Sequence, residues 1–140
     1  VQWCFLYVDV SIAGTLEVGA GKKFTSIQAA VNKSGSGDTI LVYDGIYREE
    51  IVVTKSNIQV QSVNQWGAIL DGSNHTLKTA FRVSNANYVK LIGFLIQNYK
   101  TERVTYTGVV VYEKSSGYGE VKYNKFTNNI TTKDKVLYQS

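Results

Sequence analysis

Proline and methionine are absent from this 140-residue chain, which holds one cysteine and one histidine. The lone Cys4 excludes an intrachain disulfide and a cysteine metal site, and reads as a small buried hydrophobe. The lone histidine makes any Ser-His-Asp arrangement depend on His75. That residue stands in the polar corner Ser73-Asn74-His75-Thr76, with no nucleophile elbow nearby. Without Met the chain is expected to be a processed form or a fragment. Long apolar runs are missing too: the longest, residues 3–8, ends at Asp9 and is too short to cross a bilayer. Its alternation into Val10 and Ile12 reads as a first strand rather than the tail of a signal segment. Lys and Arg exceed Asp and Glu by fifteen to eleven, but they cluster nowhere beyond Lys22-Lys23. Nucleic-acid binding is not expected from such a pattern, and the excess charge reads as a solubilising surface.

What the chain does hold is strand chemistry. Val, Ile and Thr are abundant, with ten Tyr, and twelve Gly are available for turns. The length fits one domain with a real core. We expect an extended N-terminal segment over residues 1–18 and a solenoid over 19–140. One helix is expected near 25–32, capped by Thr25, with Ile27, Ala30 and Val31 on its apolar face. After it the pattern predicts eight to ten short strands separated by brief polar corners, with a last one near 135–138.

Two segments repeat each other. Phe81 and Val83 align with Val109 and Val111, 28 positions on, while Leu91, Ile96 and Asn98 align with Val121, Phe126 and Asn128, 30 positions on. The second copy thus reads as carrying a two-residue insertion. An antiparallel sandwich could use Asp44-Gly45 and Asp71-Gly72 as hairpin turns, but it gives the repeat no role. A parallel stack explains it, because equivalent residues of successive coils become each other's core. The expected fold is therefore all-β, a right-handed parallel β-helix of about three to four coils with a short N-terminal capping helix. Asn98 and Asn128 are expected to form a corner ladder, and Lys90 to lie beside Glu120.

Gly21-Lys22-Lys23-Phe24-Thr25-Ser26-Ile27-Gln28-Ala29-Ala30-Val31, then Gly37-Asp38-Thr39-Ile40-Leu41-Val42 and Gly45-Ile46-Tyr47-Arg48-Glu49, resemble the N-terminal cap and first coil of the right-handed parallel β-helix superfamily. Its members include pectinesterases, polysaccharide lyases of the chondroitinase B type, and archaeal or bacterial surface proteins with β-helix repeats. The resemblance spans residues 19–129. It implies that the helix plugs the open end of the stack, that Gly45 and Tyr47 form and fill a corner, and that Glu49 satisfies corner amides. These motifs are structural and carry no activity with them.

Chemistry is thin along the chain. The aspartate motifs that a resemblance to pectinesterases would require are missing, and Asp44 and Asp71 sit in Asp-Gly corners. Arg82, Lys90, Arg103 and Lys122 are candidate bases for a uronate lyase, without a carboxylate cluster to hold calcium. Glu49 and Glu50 are adjacent, so on a strand they point to opposite faces. No cofactor and no metal are expected. The remaining feature is aromatic: Tyr99, Tyr106, Tyr112 and Tyr118 are candidates for exposed contacts to a glycan or a protein. Three sequons, at Asn32, Asn74 and Asn129, are candidate N-glycosylation sites and point outward from the cell.

The reading that follows is a non-enzymatic structural or binding module of a secreted or cell-surface protein. It has two candidate partners: a polysaccharide, and a second copy meeting the uncapped C-terminal coil end to end in a filament. The alternative is the N-terminal part of a carbohydrate-active enzyme whose catalytic coils lie beyond residue 140.

Overall fold

A computed structural model describes residues 12–102 and 108–132. The expected strands at 1–10 and 135–138, and with them Cys4, Arg103 and Tyr106, lie outside the described residues. Among the described residues there is one helix, α1 (Ile27–Lys33), and it interrupts a succession of short strands. β1 (Thr15–Val18) precedes it. β2 (Thr39–Val42), β3 (Gly45–Tyr47) and β4 (Ile51–Val53) follow, then β5 (Gln59–Ser62), β6 (Ala68–Asp71) and β7 (Phe81–Ser84). β8 (Lys90–Ile92), β9 (Leu95–Gln97), β10 (Lys100–Glu102) and β11 (Val110–Glu113) come next, and β12 (Glu120–Lys122), β13 (Lys125–Thr127) and β14 (Ile130–Thr132) last. The strands are thus more numerous than expected. Gly45–Tyr47 is itself a strand rather than a corner, with Tyr47 buried and its hydroxyl donating to the Tyr43 carbonyl at 2.8 Å.

Every pairing among the described strands is parallel, and from β2 onward strands adjacent along the chain fall in different sheets. The first sheet runs β1-β2-β5-β8-β12, the second β3-β6-β9-β13, the third β4-β7-β11, and β10 pairs with β14. Thr39 pairs with Gln59, Gln59 with Lys90 and Lys90 with Glu120. Each circuit therefore returns the chain to the same sheet one strand further along, which is a solenoid-like, all-β arrangement. Stacking puts like on like. Leu16, Ile40, Val60, Leu91 and Val121 form one column, and Tyr47, Leu70, Ile96 and Phe126 another. The interior members Ile40, Val60, Leu91, Leu70 and Ile96 are fully buried. Each contributes about 1.5–3 kcal/mol by leaving water.

The third sheet corrects one register. Val110 pairs with Phe81 and Tyr112 with Val83, so the offset there is one residue longer than the repeat suggested, and the insertion between copies is a single residue. Val109, Val110 and Val111 are all apolar, so alternation alone could not choose between the two phases.

Five corners share one pattern. Asn57, Asn85, Tyr88, Gly93 and Asn98 have left-handed φ between 52° and 80°, and the residues after them, Ile58, Ala86, Val89, Phe94 and Tyr99, are buried. One left-handed residue bends the chain and turns the next side chain inward. In the last coil the inward residues that match Phe94 and Tyr99 are Asn124 and Asn129. Asn124 Oδ1 accepts from Phe94 N–H at 2.8 Å and its Nδ2 donates to the Leu91 carbonyl at 2.9 Å. Asn129 does the same with Tyr99 and Ile96, at 3.0 and 2.9 Å. A second row runs outside them, where Asn128 Nδ2 donates to Asn98 Oδ1 at 2.6 Å and Asn98 Nδ2 to Asp71 Oδ1 at 3.3 Å.

Helix α1 covers the first coils with Ile27, Ala30 and Val31 buried. Its N-cap is Ser26, one residue after the expected Thr25, and it has no acidic residue in its first turn. Glu49 supplies the charge from afar: its carboxylate accepts from Ser26 Oγ, Ile27 N–H and Gln28 N–H at 2.8–3.0 Å. An anion there suits the unpaired amides of a helix start. The Gln28 side-chain amide then pairs with both backbone groups of Val52 at 2.7 and 3.0 Å, closing the open edge of β4.

Candidate functional site

Two outer faces carry polar chemistry. On the third sheet, Glu50, Val52, Lys78, Thr79, Arg82 and Glu102 line a groove of about 240 Å3. Its charges already have partners. Glu50 accepts from the Lys78 and Thr79 amides at 2.7 and 3.0 Å, Lys78 pairs with Glu102 at 2.7 Å, and Arg82 pairs with Glu113 at 2.8 Å. Hydrogen bonding to Lys78 holds the Glu102 carboxyl below its usual range and raises Lys78 in turn. Each keeps the other charged, so neither is poised to exchange a proton near neutral pH. No group of His, Cys, Asp or Glu among the described residues could hold a metal ion. Of the candidate bases, Arg82 is in this groove, while Lys90 and Lys122 are on the first sheet.

The outer face of the first sheet differs. Gln59 and Gln61 on β5, Lys90 and Ile92 on β8, and Glu120 and Lys122 on β12 project from it. Gln59 Nε2 donates to Gln61 Oε1 at 2.7 Å. Glu120 lies 3.7 Å from Lys90 and 2.8 Å from Lys122, the latter an ion pair without an aligned hydrogen bond. Lys122 first, then Lys90, holds the Glu120 carboxyl below its usual range. Two depressions flank the glutamine pair. One, of about 310 Å3, is lined by Asp38, Thr39, Gln59, Tyr88 and Lys90. The other, of about 230 Å3, is lined by Gln61, Ser62, Ile92 and Tyr123.

Aromatic residues stand at both rims of this face. Tyr88 and Tyr118, one coil apart, stack with ring centroids 5.3 Å apart and planes inclined by 16°. At the opposite rim Trp66 Nε1 donates to the Tyr123 carbonyl at 2.9 Å, and Lys125 Nζ lies 5.2 Å from the Trp66 ring. All four rings are exposed: Tyr88 53%, Tyr118 78%, Trp66 45% and Tyr123 68%. All four residues also have left-handed φ, from 52° to 64°. Bulky side chains rarely adopt that conformation, and it costs about 1–2 kcal/mol per residue for anything but glycine and, less strictly, asparagine.

The four tyrosines expected from sequence part company here. Tyr118 is exposed as expected. Tyr99 is fully buried, with its hydroxyl donating to the Glu49 carbonyl at 2.7 Å. Tyr112, expected outward, turns inward beside Val83 because of the register correction, and its hydroxyl donates to the Val89 carbonyl at 2.8 Å. Desolvation raises both phenols, Tyr112 to about 12 and Tyr99 further. Tyr106 lies outside the described residues. Tyr88, Tyr123 and Trp66 were missed, and the signal was available: Tyr88 and Tyr118 are 30 positions apart, the period of the repeat. Of the sequon asparagines, Asn32 and Asn74 are exposed, whereas Asn129 is half-buried and bonded to the preceding coil. Asn98 and Asn128 form the outer corner row.

No protein-family model matches the chain, and no curated protein or solved structure matches it either.

Proposed function

We propose that the chain is a right-handed parallel β-helix serving as a non-enzymatic binding module of an exported or cell-surface protein. Its ligand is a polysaccharide held on the outer face of the first sheet. One observation carries this reading: four exposed aromatic residues occupy left-handed corner positions that glycine or asparagine would fill at lower cost. They add little to the core, so their use is on the surface. Aromatic faces stack on the apolar faces of sugar rings, and the glutamine amides and the Lys90–Glu120–Lys122 cluster between them offer donors and acceptors to hydroxyls. The alternating sheets and the Asn98–Asn128 corner row support the β-helix assignment.

Affinity electrophoresis through gels containing different soluble polysaccharides tests the reading. The wild-type chain is expected to be retarded by at least one polysaccharide. Tyr118→Asn and Trp66→Ala are each expected to weaken that retardation about tenfold, the equivalent of one lost ring contact. No retardation in any gel, or retardation unchanged in both folded variants, would falsify it.

A further inference from the structure

We propose that Asn74 is the N-glycan acceptor of this chain, the one sequon of the three whose modification the folded coils accommodate. The inference rests on the exported-protein reading above. Asn74 lies between β6 and β7, in the middle of three successive left-handed residues: Ser73 at 53°, Asn74 at 55° and His75 at 69°. The turn is anchored on both sides. The Thr76 and Leu77 amides return to the Gly72 carbonyl at 3.0 and 2.9 Å. The His75 amide donates to the Asn98 carbonyl at 2.8 Å, and its ring Nε2 lies 2.9 Å from the Asn128 carbonyl. Gly72 packs against Asn98 so closely that a Cβ would clash with its carbonyl. The tip is therefore held out from the stack, with the Asn74 side chain exposed and bonded to no other side chain or backbone group among the described residues.

The other two sequons are built into the fold. Asn129 uses its side-chain oxygen for Tyr99 N–H and its nitrogen for the Ile96 carbonyl, and its sequon partner Thr131 lies 3.3 Å from Thr101, Oγ1 to Oγ1. A glycan on that nitrogen would wedge successive coils apart. Asn32 is in the last turn of α1, where its Oδ1 accepts from Gln28 Nε2 at 2.9 Å. Its partner Ser34 is buried, with its hydroxyl donating to the Val31 carbonyl at 2.6 Å. Helical backbone and a buried hydroxyl both withhold that sequon from an enzyme, whereas the Asn74 turn presents its asparagine and Thr76 together on the surface.

The reaction takes a lipid-pyrophosphate-linked oligosaccharide as co-reactant. The Asn74 amide nitrogen bonds to the anomeric carbon, the bond from that carbon to the pyrophosphate oxygen breaks, and the lipid pyrophosphate leaves. The nitrogen keeps one proton and gives up the other, by way of the transferring enzyme, to water.

The test is secretion of the full chain from a glycosylating eukaryotic host, followed by mass-spectrometric site mapping of the folded secreted fraction. The expected result is a glycan on Asn74 alone, with the mass shift lost in Asn74→Gly and the thermal midpoint of that variant unchanged, because glycine adopts left-handed φ as readily as asparagine. Asn129→Gln is expected to keep the Asn74 glycan and to lower the midpoint. A glycan on Asn32 or Asn129 of folded protein, or an empty Asn74, overturns the proposal. Because the host supplies export itself, an empty Asn74 would leave the exported-protein reading standing. That reading falls separately, if fractionation of the source cells finds the native protein inside.

Discussion

Five tyrosines of this molecule fall into two groups that differ in the work they do. Tyr99 and Tyr112 sit inside the coils, packed among Leu, Ile and Val, with hydroxyls bonded to the carbonyls of Glu49 and Val89. Tyr88, Tyr118 and Tyr123 stand at the rims of the first sheet, more than half exposed. The backbone separates them: the rim residues are the left-handed corner residues themselves, and Tyr99 is the residue after one. An interior tyrosine therefore holds coils together. A rim tyrosine occupies a corner at an energetic cost and presents its ring to solvent. Residue type is the same in both, so it is position relative to the corner that assigns the role.

The largest effect expected from breaking this division is in the interior. Tyr99→Ala removes a fully buried ring and the tie between its own coil and Glu49, and is expected to destabilise the fold by about 3–5 kcal/mol in urea unfolding. A loss below about 1 kcal/mol would place Tyr99 with the rim group instead.

Alkaline titration separates the groups without mutation. Burial raises Tyr112 from the ordinary value of 10 to about 12, and raises Tyr99 as well. The folded state favours the protonated phenols, so their contribution is complete below pH 10 and is lost as pH rises through about 12. Circular dichroism and phenolate absorbance followed together should show interior phenolates forming only as structure is lost. Their ionisation at ordinary pH with structure intact would contradict the buried assignment.

The smallest effect runs in the opposite direction. Tyr118→Asn places a residue tolerant of left-handed φ at that corner, and is expected to stabilise the chain by about 0.5–1 kcal/mol in the same urea assay. Combined with weaker polysaccharide retardation, that outcome would show stability traded for binding at this position. A destabilisation above about 1 kcal/mol would mean that the Tyr88–Tyr118 stack contributes to the fold.

Much of this was readable in the chain. The 30-residue period placed Leu91 beside Val121 and Ile96 beside Phe126, and the apolar face of the helix was marked by Ile27, Ala30 and Val31. The acidic partner of that helix was harder to see, because Glu49 reaches the start of α1 from 22 residues away. In the third sheet, three consecutive valines fitted either phase of a strand, and only the hydrogen-bond register chose Val110 and Tyr112 as the inward pair. Of the candidate site, Tyr118 was legible. Its partner Tyr88 stands one 30-residue period earlier and could have been found from it, whereas the Trp66–Tyr123 rim could not, because those two residues are 57 positions apart and follow no such period.

Sequence by itself determined that the chain repeats, that its strands alternate, and that like residues stack, because a repeat of apolar alternation can bury itself only against its own copies. Tertiary structure alone decided which tyrosines meet water. That choice depends on the hand of a single backbone dihedral at each corner and on the register of one strand, and at Tyr88, Tyr118 and Tyr123 no glycine or asparagine marks that hand.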